Sequence, residues 1–141
     1  MNSLITKREV IIVGGGPAGI SGAIQLKRFG IDVCVFEKDE LGGMVYNANL
    51  IENYLGFPKG IKGKDFKKLI VNQFNKLKID IYSEEVININ KDKNNFNVFT
   101  KSEKYICNYL IFAAGTVPVK IPFESKNIYY EVIFNSSYRS Y

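Results

Sequence analysis

Apolar residues fall in blocks whose spacing changes along the chain. Val10-Ile11-Ile12-Val13 is an unbroken apolar run closed by glycines, the pattern of a strand covered on both faces. After Pro17, the residues Ile20, Ala23, Ile24 and Phe29 recur at helical intervals. They predict a helix over 17–29 that stops at Gly30. Residues 32–36 form a second short run and predict another strand. Strand, helix and strand together make a βαβ unit of about 30 residues, whose right-handed crossover sets the two strands parallel.

The period changes further on. Phe66, Leu69, Ile70, Phe74 and Leu77 form one apolar stripe and predict a helix over 64–78. Residues 79–82 read as a third short strand. Three strand-like segments follow, at 85–90, 95–100 and 104–108. Short polar separators of hairpin length lie between them, and they predict a three-stranded antiparallel meander. Residues 109–113 read as a further strand, buried on both faces. The glycine-rich stretch 38–62 is long and irregular, which marks it either as functional or as holding an element the pattern does not reveal, and 44–50 can be helical. Its Tyr46, Tyr54 and Phe57 can either cover a flat ring system or form a satellite core. The implied fold class is α/β, a Rossmann-like sheet joined to an antiparallel β-meander. Residues 123–141 show no clear pattern.

Composition narrows the chemistry. At 141 residues and 46% hydrophobic content, the chain has the length and the core of one domain. It has no histidine, which disfavours metal sites and imidazole acid–base catalysis. No apolar run is long enough for a membrane span, and no signal peptide is visible, so the expected compartment is cytoplasmic. The net charge is +5, but the lysines are spread among acids and asparagines, so no nucleic-acid surface is expected. Cys34 and Cys107 each lie within a strand-like run. They read as buried free thiols, and a redox pair would need favourable geometry.

The glycines at 14, 16 and 19 fit G-x-G-x-x-G between a strand and a helix. Gly14 permits the tight turn, Gly16 lets a pyrophosphate approach the backbone, and Gly19 lets the helix pack close. The helix N-terminus then offers unpaired N–H groups to phosphate, and Pro17 suits its first position. Glu37 follows the second strand, about 20 residues on, where an acid binds ribose hydroxyls and repels a 2′-phosphate.

Further segments occur in order: Glu37-Lys38-Asp39-Glu40-Leu41-Gly42-Gly43-Met44, Ile51-Glu52-Asn53-Tyr54-Leu55-Gly56-Phe57-Pro58, and Leu110-Ile111-Phe112-Ala113-Ala114-Gly115-Thr116-Val117-Pro118. With the glycine turn they resemble the N-terminal half of the FAD domain of bacterial thioredoxin reductases, over roughly residues 8–122. The resemblance implies FAD in an extended pose. Gly14, Gly16, Pro17, Ala18 and Gly19 would line the pyrophosphate, and Glu37, with Lys38 beside it, the adenosine ribose. Gly43 and Met44 would run along the flavin side, where the family more often has Gly-Gln. Asn53 would contact the flavin region. Val86 would meet the adenine through its backbone, and Ala113, Ala114 and Gly115 would form the turn over the cofactor. The family's inserted NADPH domain, its Cys-x-x-Cys and its Gly-Asp segment have no counterpart here. Residues 1–122 are therefore expected to form a partial FAD/NAD(P)-binding domain, with 123–141 an unmatched tail and no catalytic residue carried over. The expected activity is that of an FAD-dependent oxidoreductase acting with a separate redox chain or by self-association. The alternatives are a non-catalytic FAD- or NAD-binding module and a truncated remnant.

Overall fold

The computed structural model describes residues 5–117, so the expected tail and the domain end at 122 lie outside the described residues. The elements are β1 (Thr6–Val13), α1 (Pro17–Arg28), β2 (Val33–Phe36), a 3₁₀ turn (Gly43–Asn47), α2 (Gly63–Asn75), β3 (Asp80–Tyr82), β4 (Asn88–Lys91), β5 (Phe96–Phe99) and β6 (Lys104–Phe112). They form one six-stranded sheet in the order β3-β2-β1-β6-β5-β4. β1, β2, β3 and β6 run parallel, while β4, β5 and β6 pair antiparallel.

The sequence divided β6 in two, and the structure joins it. The segments 104–108 and 109–113 are one strand. It pairs with β5 through its first half and with β1 along its whole length. The division arose because Asn108 separates a mixed segment, read as the last strand of the meander, from the unbroken apolar run 109–113; in the structure the inward spacing also lengthens between Cys107 and Leu110, both of which join the same apolar cluster. The same parallel pairing carries β1 back to Thr6, opposite Tyr105, before its apolar run begins. A second expectation fails at the far end of β6. Tyr109 is 63% exposed and Phe112 70% exposed, so this half is not covered on both faces. Pairing with β5 stops at Cys107, and among the described residues no strand lies beyond Asn108–Phe112 on that side.

The two helices cover one face of the sheet. Ile20 and Ala23 of α1 and Phe74 of α2 pack with Val10, Ile12, Val33 and Val35. Phe29, expected on the buried stripe, is exposed because α1 has already ended. The amides of Gly30 and Ile31 donate to the carbonyls of Lys27 and Leu26, and Gly30 takes φ +77°. This is a glycine-terminated Schellman stop. In α2, Leu69 is also exposed, and Val71 joins the core in its place. The helix ends before the expected Lys78, which adopts φ +49° and turns the chain toward β3.

The other face gathers Ile11, Val13, Cys34 and Phe36 with Val98, Tyr105 and Cys107. Phe36 stacks on Tyr82 and meets Tyr105 edge-on, each at 4.8 Å between ring centroids. Both thiols are buried. Burial pushes Cys34 up to about 12 and also raises Cys107, so neither is a thiolate at neutral pH. β1 lies between their strands. Two strand spacings, about 9–10 Å, exceed the Cα separation a disulfide spans. The two cysteines are core residues, not a redox pair.

Arg8 fastens the opposite end of the parallel strands. Its guanidinium donates to Asp32 at 2.7 Å, to Asp80 and to the Tyr82 hydroxyl at 3.1 Å. Burial alone would lower its pKa, but hydrogen bonds to Tyr82, Asp80 and Asp32 raise it above the ordinary value. One side chain thus ties β1 to the entry of β2 and to β3. Arg8 is 17% exposed, whereas the aspartates are 51% and 58% exposed, so the ion pairs are partly screened. Arg8→Ala should cost about 1–2 kcal/mol in urea unfolding, below the value for a fully buried pair because of that screening. A loss under about 0.5 kcal/mol, the size of an ordinary surface change, would contradict the staple.

Candidate functional site

The site lies where β1 and β6 end side by side. The Ala113 amide donates to the Val13 carbonyl at 2.8 Å, and the Gly14 amide donates to the Phe36 carbonyl at 2.8 Å. Between them the chain turns sharply at Gly14, with φ +106°. A Cβ there would lie 2.2 Å from the Ala113 carbonyl oxygen and 2.8 Å from the Ala114 Cα. Only glycine permits both that conformation and that approach. The turn at 113–115 is therefore pressed directly onto the first glycine.

At Gly19 a Cβ would lie 1.9 Å from the Gly14 carbonyl oxygen, so α1 starts as close to the turn as backbone allows. Gly16 is different. Nothing approaches within 4 Å of the Cβ position there, so the space above it is open. Gly16 is the N-cap of α1 and Pro17 its first residue. No side chain caps the first turn, and no acidic residue lies in it. The free amides and the positive end of the helix therefore face that opening undiluted. Ala18 is exposed at the same end.

The loop after β2 closes over the turn. The Gly42 amide donates to the Gly15 carbonyl at 2.8 Å, and a Cβ at Gly43 would lie 3.2 Å from the Gly16 Cα. Glu37 sits underneath. Its Oε2 accepts from the Gly15 amide at 2.6 Å and its Oε1 from the Asp39 amide at 2.8 Å. Each carboxylate oxygen keeps a further lone pair for an incoming hydroxyl. Lys67 of α2 braces the loop from outside. Its ammonium donates to Glu40 at 2.8 Å, a bond and a charge that hold the Glu40 carboxyl below its ordinary pKa. The loop is anchored further along, where a Cβ at Gly63 would lie 1.9 Å from the Val45 carbonyl oxygen.

Gly14, Gly16, Gly19, Glu37, Gly43, Ala113 and Ala114 are thus brought together. Gly115 stands open beside them with φ +73°. Met44 is 57% exposed on the 3₁₀ turn. Three further expected residues have surroundings of their own; the side-chain packing of Val86 does not engage its backbone, the part expected to meet adenine. Lys38 pairs with Glu85 at 3.5 Å. Val86 packs against the second apolar cluster. Asn53 is exposed on the loop closed by the Ile51–Ile61 bridge. The aromatics of this stretch divide as well. Tyr54 and Phe57 pack on Phe66 of α2 as a satellite core, at 4.5 and 5.9 Å, and Tyr46 lies beneath the ammonium groups of Lys64 and Lys67. Sequence reasoning missed Gly15, Gly42 and Lys67. For Gly15 the signal was present in the third glycine of the run. For Lys67 there was none, because its partner lies on a distant loop.

The cradle fits the adenosine and pyrophosphate part of a dinucleotide: open backbone at Gly16, an uncapped helix end, and an acid beside both. The family model for pyridine nucleotide-disulphide oxidoreductases matches residues 8–139. The thioredoxin reductase of Buchnera aphidicola is 30% identical over 121 residues, covering 86% of this chain and 38% of that protein. The crystal structure of T. acidophilum thioredoxin reductase superposes with a TM-score of 0.75 at 33% identity, over 85% of this chain and 39% of that one. A ferredoxin-flavin thioredoxin reductase from Clostridium acetobutylicum superposes equally well, at 0.75 and 29% identity, over 83% and 40%. The chain spans about two-fifths of the length of these relatives. With the family match over nearly all its residues and the shared fold of its sheet, the chain belongs to the pyridine nucleotide-disulphide oxidoreductase family and is thioredoxin reductase-like.

Proposed function

We propose that this chain is the FAD-holding portion of a thioredoxin reductase-like oxidoreductase. The observation that carries this reading is the unobstructed backbone at Gly16, flanked by a bare helix N-terminus and by Glu37. A pyrophosphate placed there meets unpaired amides and the positive helix end. The adenosine ribose meets the free lone pairs of Glu37, which would repel a 2′-phosphate and so selects against NADP. Gly43 and Met44 extend the cradle toward the flavin side, and Ala113, Ala114 and Gly115 close it from β6. When bound, FAD supplies two-electron redox chemistry through its flavin ring. The chain's own residues bind and orient it. A related redox chain or further polypeptide would supply the hydride donor and the dithiol.

A non-catalytic FAD- or NAD-binding module is the second reading. It is favoured by the burial of both cysteines, which leaves no thiol among the described residues at the turn. No helix among the described residues is long and apolar enough to cross a membrane, and we keep the cytoplasm as the proposed compartment.

Gly16→Ala separates binding from folding. The new methyl meets no protein atom, and the backbone at φ −73° and ψ −175° is ordinary extended geometry for alanine. The variant should melt like the parent but bind FAD at least about tenfold more weakly in a calorimetric titration, a loss of about 1.4 kcal/mol. Unchanged affinity would place the ligand elsewhere.

The uncharged edge at Asn108–Phe112 supports self-association. Sedimentation velocity should show concentration-dependent association that Ile111→Lys with Phe112→Lys suppresses. A parent chain that sediments as a monomer at all concentrations would contradict this.

A further inference from the structure

The hydrogen bonds of Glu37 extend its role beyond a ribose acceptor. Its carboxylate holds two backbone amides, Gly15 through Oε2 and Asp39 through Oε1. The peptide at Gly15 is gripped at its other end too, because its carbonyl accepts the Gly42 amide. Gly15 is buried, and a Cβ there would lie 2.7 Å from the Leu41 side chain and 3.1 Å from Glu37 Oε2. The Glu37 amide in turn donates to the Tyr82 carbonyl at 3.0 Å, which seats the residue on the edge of β3. One side chain therefore connects β2, the glycine turn and the covering loop.

We infer that Glu37 is a positioning residue for the glycine turn and couples the ribose and pyrophosphate subsites of the nucleotide. The inference rests on the nucleotide-binding reading above and deepens it. By taking the Gly15 amide, the carboxylate turns that donor away from the groove and leaves the open backbone at Gly16 and the start of α1 to the phosphates. Ribose hydroxyls engage the lone pairs that remain, so both halves of the ligand report to the same group. Without the carboxylate the buried Gly15 N–H loses its acceptor, and the turn loses its fixed orientation even for a ligand that never touches Glu37.

The test compares ADP with 2′,3′-dideoxy-ADP, which lacks both ribose hydroxyls, on the whole chain and on Glu37→Gln. The two amides are held by different carboxylate oxygens, and glutamine sets an NH2 donor in place of one of them, against an amide that is itself a donor. The substitution should weaken dideoxy-ADP as well as ADP, each by about tenfold, the order expected when a buried donor is orphaned. Glu37→Asp retains the charge but draws it back by one methylene. It should give the same pattern, and it serves if the glutamine variant folds poorly. Amide hydrogen exchange on the ligand-free chain supplies an independent reading, with faster exchange of Gly15 and Asp39 in the variants. Dideoxy-ADP affinity left unchanged while ADP weakens would reduce Glu37 to a ribose acceptor and overturn the coupling. If the parent chain binds neither nucleotide, the nucleotide-binding reading fails by itself. Unchanged exchange at Gly15 and Asp39 would then overturn the positioning role too.

Discussion

The fold depends on how closely two strand ends approach. β1 and β6 stop side by side, and the backbone of Gly14 lies against the carbonyl of Ala113 with no room for a side chain. Each neighbouring feature needs that contact. α1 begins where it does because Gly19 can sit on the Gly14 carbonyl, and the helix end is thereby aimed across the top of the sheet. The loop after β2 reaches the turn because Gly42 can bond to Gly15. A methyl group at Gly14 or Gly19 would separate these parts. A methyl group at Gly16 would meet nothing of the protein. Within the turn, that contrast divides the glycines that build the fold, Gly14 and Gly19, from Gly16, which leaves space for a ligand.

Electrostatics follow from the same arrangement. The N-terminus of α1 carries no acid and no capping side chain, while its last turn carries Lys27 and Arg28. The dipole is thus complemented at one end and left open to an anion at the other. Glu37 is the negative group closest to the turn, and two backbone amides already hold it. At the opposite end of the sheet, Arg8 keeps Asp32 and Asp80 in register. The parallel strands are therefore fixed at both ends, by a guanidinium at one and by glycine packing at the other.

Much of this was legible in the residues. The βαβ unit, the stop at Gly30, α2 and the antiparallel hairpins all follow from spacing and turn chemistry. What was not legible depends on contacts distant in sequence. β6 looked like two strands because Asn108 divides a mixed segment from an unbroken apolar run, and only pairing with β1 shows it to be continuous. Leu69 lies three residues after Phe66, a helical interval, yet is exposed, since the apolar stripe that meets the sheet runs through Val71. In the site, the glycines and Glu37 were readable from one local fingerprint. Tyr54 and Phe57 were ambiguous until Phe66 supplied their partner. Lys67 was invisible because it acts on Glu40 across the loop. The exposed half of β6 contradicts a run of apolar residues that reads in sequence as fully buried.

The turn at Gly14–Gly19 carries the features shared by every adenosine dinucleotide site, and the proposed ligand is FAD rather than a nicotinamide dinucleotide. Titration of the purified chain with FAD, NAD and NADP, followed by quenching of flavin fluorescence and by competition, tests it directly. FAD should bind tightest, NAD more weakly and NADP weakest. Tighter binding of NAD than of FAD, or no binding of any of the three, would contradict it.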